Sequence, residues 1–176
     1  MNFLFKKKKR LIQLLSLTLF YTCIMLPSKA SAYSIEFGAT KFPNQYDIRI
    51  KYIQLGSKDI SPYINIATSA WNSSPARVLF TRNSTSNNID LISGNYGDIG
   101  WYGLCYYPTI LNGNFSRIQI NDSLSGINGN ESETIAHELG HALGLAHTET
   151  TLMRKTGWNY SPTPHTDDIN GVNSRY

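Results

Sequence analysis

The amino-acid sequence predicts an α+β fold, in which a twisted mixed β-sheet packs against two long helices and a short C-terminal helix. Residues 46–52 and 117–121 alternate apolar and polar side chains with a period of two, which is typical of half-buried strands. Apolar side chains after residue 61 and two histidines from residue 137 onward recur at helical spacing. The chain of 176 residues is long enough for these elements to bury a sizeable core.

The first long helix is predicted to begin at Ser61, an N-cap residue that is followed by Pro62 at the first helical position. It is expected to end at residues 72–75, which read Asn-Ser-Ser-Pro. The side chains at helical spacing that are predicted to form its buried face are Tyr63, Ile66, Ala67, Ala70 and Trp71.

Two further strands are predicted at residues 77–81 and 89–92, with a polar loop at residues 83–88 between them. Glycines recur from residue 94 to residue 103, which indicates a loop-rich segment after these strands.

The most informative stretch begins at His137 and has the form H-E-x-x-H-x-x-G-x-x-H. On a helix, His137 and His141 lie one turn apart on the same face, so their imidazoles can bind one metal ion. Gly144 can adopt a positive φ, which lets the helix end and the chain turn until His147 becomes a third ligand. Three histidines leave the fourth position of a tetrahedral zinc ion open, as in catalytic sites. Glu138 is not a ligand and is placed to act as general base on a zinc-activated water.

The histidine-bearing helix is predicted to begin with a capping box, because Asn130 is followed three residues later by Glu133. Its apolar side chains would pack on the core and hold the histidines on a rigid support. These side chains are Ile135, Leu139, Ala142 and Leu143.

The N-terminal segment has the three parts of a secretory signal peptide, which predicts a secreted, extracellular protein. Residues 6–10 are all Lys or Arg, a mainly apolar run covers residues 11–26, and residues 30–32 form an Ala-Ser-Ala cleavage site. The predicted organisation is a signal peptide at residues 1–32 and a single domain at residues 33–176. The alternative is an uncleaved membrane anchor, although polar residues interrupt the apolar run and it is short for a span.

The positive charge of the chain belongs to this segment. The whole chain has 16 Lys and Arg against 12 Asp and Glu, but six of the cations and none of the acids lie in residues 1–32. The remainder has a net charge of −2 and no basic cluster, so nucleic acid is not an expected partner. It keeps one cysteine, Cys105, and therefore no internal disulfide. We expect a monomer without stable membrane association after cleavage.

The motif at His137 resembles that of the metzincin clan of zinc peptidases. Met153, six residues after His147, matches the methionine of the metzincin Met-turn, which in that clan forms an apolar floor beneath the zinc. The stretch His-Glu-Leu-Gly-His-Ala-Leu-Gly-Leu-Ala-His is most similar to the matrixins, the matrix-metalloproteinase-like family. The resemblance extends from residue 46 to residue 176 and implies a zincin-like catalytic domain, here of the bacterial secreted type.

The resemblance also implies a substrate-binding strand. Residues 103–108 lie where matrixins carry the edge strand of their cleft, to which an extended peptide can add by backbone hydrogen bonds. The alternative is an ordinary strand with buried aromatic side chains. Cys105 is expected to be a small buried residue, with a half-exposed thiol as the alternative. The residues whose backbone is implied to bind substrate are Gly103, Leu104, Cys105 and Tyr106.

The segment after Met153 corresponds to the specificity-pocket wall of matrixins. The candidates to line that pocket are Trp158, Tyr160 and His165. A surface position in a loop is the alternative for His165. Asp167 and Asp168 match a closing segment whose acids brace the Met-turn in the family, with simple helix capping as the alternative.

Several family features are missing from the sequence. It has no Pro-Arg-Cys-Gly latency motif, and residues 108–117 lack the His/Asp-rich loop that holds a second zinc and calcium in animal matrixins. Lys155 occupies the position of a tyrosine ligand in astacin-like relatives, so no tyrosine ligand is predicted. We expect one catalytic Zn²⁺ and no structural zinc, and we leave Ca²⁺ open.

Together these features predict a zinc metalloendopeptidase with Glu138 as general base and a peptide or protein as substrate. Two alternatives stay open. One is a zinc-binding toxin-like or binding protein on the same scaffold with little proteolysis, against which the intact Glu138 argues. The other is a zinc hydrolase that acts on something other than protein.

Overall fold

The computed structural model describes residues 33–124 and 130–176. The predicted signal peptide at residues 1–32 lies outside the described residues, as do residues 125–129. Within the described part of the chain, no helix is long and apolar enough to cross a membrane.

A five-stranded mixed sheet forms one layer of the domain. Its strands are β1 (Ile48–Gln54), β2 (Phe80–Arg82), β3 (Ile89–Gly94), β4 (Gly103–Tyr106) and β5 (Ser116–Asn121). The spatial order is β2-β1-β3-β5-β4, and all neighbouring pairs are parallel except β4 with β5, which is antiparallel. Strand β4 therefore lies at one edge of the sheet.

The inner face of the sheet is built from alternating branched side chains, as the period-two pattern predicts. The side chains of this face with 0% exposure are Ile48, Ile50, Ile89, Leu91, Ile118 and Ile120. They form one core with the helices, which are α1 (Ser61–Asn72), α2 (Glu131–Ala142) and α3 (Thr166–Arg175). The fully buried indole of Trp71 ties α1 to α2, because its Nε1–H donates to the carbonyl of Ala136 at 2.9 Å. The predicted α+β class is therefore confirmed, with a mixed sheet of five strands and three helices.

The predicted face of α1 was wrong in part. Ala67 and Trp71 are buried as expected, but Ile66 is 49% exposed and Ile64 is fully buried in its place. The buried positions 64, 67, 68 and 71 form one continuous stripe, and packing against α2 and the sheet selected it over the neighbouring one. The N-cap of the helix is Ile60 and not the predicted Ser61, so Ser61 is already the first helical residue.

The predicted capping box of α2 was also wrong. Among the described residues, the side chain of Asn130 makes no capping hydrogen bond. The carboxylate of Glu133 instead accepts a hydrogen bond from the backbone N–H of Asn159 at 2.6 Å. Glu131, which is 2% exposed, forms an ion pair with Lys58. The two acids still suit the positive end of the helix dipole, but their partners come from distant segments that sequence spacing does not reveal.

Candidate metal centre

The end of helix α2 brings three histidines together. Gly144 has a φ of 90°, and its N–H donates to the carbonyl of His141 at 2.8 Å. The N–H of Leu145 donates to the carbonyl of Gly140 at 3.0 Å, which completes a Schellman motif. This tight helix end turns the chain back along α2 and presents His147 beside the two helical histidines.

The ring nitrogens of the three histidines converge on one point. The Nε2 atom of His141 lies 3.1 Å from Nε2 of His137 and 3.2 Å from Nε2 of His147. One ligand atom from each residue lies within 4.8 Å of the others. Zinc–nitrogen bonds of about 2.0–2.1 Å in a tetrahedron place ligand nitrogens roughly 3.3 Å apart, so the spacing fits a zinc ion.

Backbone carbonyls orient two of the imidazoles for metal binding. Nδ1 of His137 lies 2.8 Å from the carbonyl oxygen of Leu152, and Nδ1 of His141 lies 2.7 Å from that of Leu145. A carbonyl oxygen can only accept, so each Nδ1 carries the proton and each Nε2 keeps its lone pair. Two lone pairs that face each other at 3.1 Å repel unless a cation lies between them. This donor arrangement therefore fits a bound metal ion.

The electrostatics of the cluster favour neutral imidazoles. Burial lowers the pKa of His137 to about 4, and burial together with the neighbouring His137 lowers the pKa of His141 to about 3. Burial also lowers the pKa of the more exposed His147. Neutral imidazole is the form that binds a metal, so near neutral pH the three side chains are ready to act as ligands.

Glu138 lies beside the cluster on the next position of the helix. Its side chain is 5% exposed, and its Oε2 atom has no hydrogen-bond partner among the described residues. Burial raises the pKa of this carboxyl to about 8. The carboxylate packs against Gly103 at the start of β4, so closely that a Cβ built on Gly103 would lie 2.6 Å from Oε1.

A cleft of about 390 Å³ opens next to the histidines. One wall comes from α2, one from the start of β4, and one from the segment after Leu152. Among the residues that line it are Trp101, Tyr102, Gly103, Glu133, His137, Glu138, His147, Leu152, Arg154 and Trp158. The metal-binding nitrogens, the buried carboxylate and the edge of the sheet thus share one open space.

Of the three residues predicted to line the specificity pocket, one lines this cleft. Trp158 lines the cleft and makes an edge-to-face contact with Tyr102, with ring centroids 5.0 Å apart. Tyr160 is 77% exposed, and neither it nor His165, the exposed N-cap of α3, is among the described residues that line the cleft.

Of the four strand residues predicted to bind substrate, only Gly103 is among the described residues that line the cleft. Tyr106 is 55% exposed. Burial raises the pKa of the Cys105 thiol, whose sulfur lies 3.5 Å from the hydroxyl of Ser116. All four residues lie on β4, whose second edge faces away from β5.

The segment beneath the histidines is tied to both neighbouring helices. Met153 is fully buried, and its sulfur packs against Gly140 of α2. The carboxylate of Asp168 accepts hydrogen bonds from the backbone N–H groups of Leu152 at 3.1 Å and of His165 at 2.8 Å. Asp168 therefore supports the residue whose carbonyl orients His137.

Sequence reasoning missed several of these contributors. The carbonyl of Leu152, the charge of Glu36 near His141 and the position of Arg154 in the cleft had no local signal. Glu133 did have a local signal in the sequence, because it lies four residues before His137 and so shares its helix face. It was instead assigned to a capping box.

Three converging histidines beside a buried carboxylate form a group that could hold one metal ion, and this is the donor set of hydrolytic metal centres. The model of the M12B reprolysin-like metallopeptidase family matches residues 31–148, a span that contains all three histidines. The chain belongs to this metallopeptidase family. Membership makes the protein a hydrolase that acts on peptides and implies a metal, typically zinc.

The fold is also similar to a solved structure described as the GM1-bound form of the ECX AB5 holotoxin. The TM-score is 0.56 with 16% sequence identity, and the match covers 82% of this chain and 86% of that chain. At this identity the likeness concerns the fold alone.

Proposed function

We propose that the protein is a secreted zinc endopeptidase in which His137, His141 and His147 bind the metal and Glu138 is the general base. One observation carries the proposal, namely the convergence of three Nε2 atoms next to a buried carboxylate in an open cleft. When bound, zinc supplies a Lewis acid that polarises the substrate carbonyl and makes water more acidic.

Glu138 moves the proton in this proposal. The positive charge of a bound zinc ion would favour the ionised form of this buried carboxyl. Its Oε2 atom has lone pairs that no described residue uses, so the ionised form can accept a proton from the attacking water. The same carboxyl then donates that proton to the nitrogen of the leaving amine. Close packing against Gly103 keeps the carboxylate at the edge of the sheet, where a bound peptide would lie.

The edge strand would orient the substrate. Among the described strands, β4 pairs only with β5, so an extended peptide can add to its other side through backbone hydrogen bonds. The proposed contacts are the backbone groups of Gly103, Leu104, Cys105 and Tyr106. Trp158 would then form part of the wall beside the cut bond, whereas the exposure of Tyr160 and His165 gives them no support as pocket residues.

Two finer assignments belong to the same proposal. The buried Met153 beneath α2, supported by Asp168 on its neighbour Leu152, fits the Met-turn of the clan. The matrixin-like subgroup is proposed from the sequence resemblance of residues 137–147 alone. The basic and apolar segment at residues 1–32 fits a signal peptide, from which export to the extracellular space follows.

The test uses the purified zinc-loaded chain beside Glu138→Gln and His141→Ala. Each is incubated with a diverse peptide mixture, and mass spectrometry identifies the products. We expect internal cuts by the wild type. Glu138→Gln should keep zinc affinity but lose turnover by about 10²–10⁴-fold. His141→Ala should lose both zinc affinity and turnover.

The outcomes separate the proposal from its alternatives. A wild type that binds zinc through the histidines yet leaves all peptides whole would support a zinc-binding toxin-like protein or a hydrolase of another substrate. The holotoxin named in the structural comparison shares the fold and is the reason to keep the toxin-like alternative. Equal cutting by Glu138→Gln would remove Glu138 from the mechanism.

A further inference from the structure

A short N-terminal segment, residues 34–36, runs along the turn that carries His147. Ile35 forms an antiparallel bridge with Leu145. The N–H of Ala146 donates to the carbonyl of Ser34 at 2.8 Å, and the N–H of Glu36 donates to the carbonyl of Gly144 at 3.0 Å. Because the second of these bonds is made by the backbone of Glu36 itself, its Cα is held next to the helix end that shapes the metal centre.

The side chain of Glu36 approaches His141 on the side of its Nδ1 atom. Its Oε1 atom lies 3.7 Å from Nδ1 of His141, and the side chain is 27% exposed. Burial lowers the pKa of His147, while the Glu36 charge opposes this shift and the Lys155 charge adds to it. The carboxylate therefore lies on the Nδ1 side of His141, away from its Nε2 atom, and its charge also acts on His147.

Glu36 acts through charge rather than as a hydrogen-bond partner. Nδ1 of His141 already donates to the carbonyl of Leu145 at 2.7 Å, and 3.7 Å to Glu36 exceeds hydrogen-bond distance. Three neutral imidazoles bring no negative charge of their own to offset the double charge of a bound zinc ion. A partly buried carboxylate at this distance is screened less by salt than a surface charge.

We propose that Glu36 is a positioning residue of the metal centre, whose negative charge strengthens metal binding by the histidines. The proposal rests on the zinc site of the proposed function. In this proposal, the segment at residues 34–36 holds the Glu36 carboxylate on the Nδ1 side of His141. Outer-shell groups that hydrogen-bond the ligands typically change metal affinity about 10–100-fold. Glu36 would act on the same ligands through its charge.

The experiment measures zinc affinity instead of activity. The purified chain and its Glu36→Gln variant compete for Zn²⁺ with a chromogenic chelator at fixed pH. Glu36→Gln keeps the size of the side chain and removes its charge, so we expect about a tenfold or greater rise in Kd. Asp47→Asn is the matched control, because it removes a carboxylate that is 48% exposed and pairs with Arg49, and it should change the Kd less than twofold.

A third variant separates charge from structure. Glu36→Asp keeps the charge and should bind zinc within about threefold of the wild type, which a loss of packing alone would not predict. It also decides the matter if Glu36→Gln does not fold, since an affinity loss in Glu36→Asp as large as in His141→Ala would overturn the charge role.

Failure of this inference differs from failure of the zinc site itself. If the wild type binds zinc in a histidine-dependent way and Glu36→Gln matches its Kd within twofold, only the role of Glu36 is wrong. If the wild type binds no zinc, the proposed function is wrong as well.

Discussion

Two glycines determine how closely other residues of the site can pack. Gly103 on β4 leaves the space that the Glu138 carboxylate occupies, and Gly140 on α2 leaves the space for the sulfur of Met153. Neither glycine needs a positive φ, so their role is close approach and not a turn. A single methyl group at either position should therefore have a measurable effect.

Gly103→Ala should lower activity without removing the metal. The new Cβ would lie 2.6 Å from Oε1 and 2.7 Å from Cγ of Glu138, so the carboxylate must move. We expect kcat to fall by about ten- to hundredfold, because small displacements of a catalytic group have large effects on rate. Cleavage of a quenched-fluorescent peptide measures kcat, and zinc affinity should be unchanged.

The matched control for this change is Gly94→Ala on β3. Its Cβ would meet the Tyr96 ring at 3.4 Å, which is an ordinary contact. Wild-type kcat in Gly103→Ala, or an equal loss in both variants, would contradict the placement of Glu138.

Gly140→Ala should destabilise the fold. Its Cβ would overlap the sulfur of the fully buried Met153, and overpacking of this kind costs about 1–3 kcal/mol. Urea denaturation measures the free energy of unfolding. A double-mutant cycle with Met153→Ala compares the losses in the free energy of unfolding. The loss in the double variant should be smaller than the sum of the two single losses, because truncating the methionine relieves the clash. Strict additivity would show that the two side chains do not compete for space.

At the scale of elements, the site depends on how helix α3 supports the segment beneath α2. The Asp168 carboxylate on α3 accepts the N–H of Leu152, and the carbonyl of Leu152 orients His137. A chain of hydrogen bonds therefore links the first turn of α3 to a proposed metal ligand. Helix α2 receives a second tie at its start, where Lys58 pairs with Glu131.

Asp168→Ala should weaken both the fold and the metal site. It leaves the N–H groups of Leu152 and His165 without their acceptor, which costs about 1–3 kcal/mol for a buried group. Thermal unfolding and chelator competition measure the two effects. The control is Asp167→Ala in the same turn, where only a helix-dipole contribution of about 0.3–1 kcal/mol is lost. Equal effects of the two substitutions would reduce Asp168 to a simple capping residue.

At the scale of the whole molecule, the proposed zinc joins α2 to the turn that follows it. A ligand that binds only the folded state stabilises it by about 2.7–4.1 kcal/mol at 100–1,000 times its Kd. Removing zinc with a chelator should therefore lower the Tm of the wild type, as calorimetry would show. The Tm of His141→Ala should not respond to the chelator. A chelator-insensitive wild type would argue against a metal held by the fold.

The sequence alone was sufficient for features encoded by local spacing. The helical pair His137 and His141, the glycine that ends their helix and the third histidine are all within one short stretch, so geometry at helical spacing predicts their convergence. The metallopeptidase class was confirmed by the family match. The alternating strands likewise predicted the α+β class, although some strand ends differ from the prediction by one to three residues.

Tertiary structure decided the features that join residues far apart in the chain. Glu36 beside His141, Gly103 against Glu138 and Asp168 beneath Leu152 each bring together distant positions. No periodic pattern encodes such contacts, because they depend on strand order and on which helix stripe meets the core. The sequence by itself thus determined which side chains could bind a metal and do chemistry. Only the packed fold decided which groups surround these side chains, orient them and place a charge beside them.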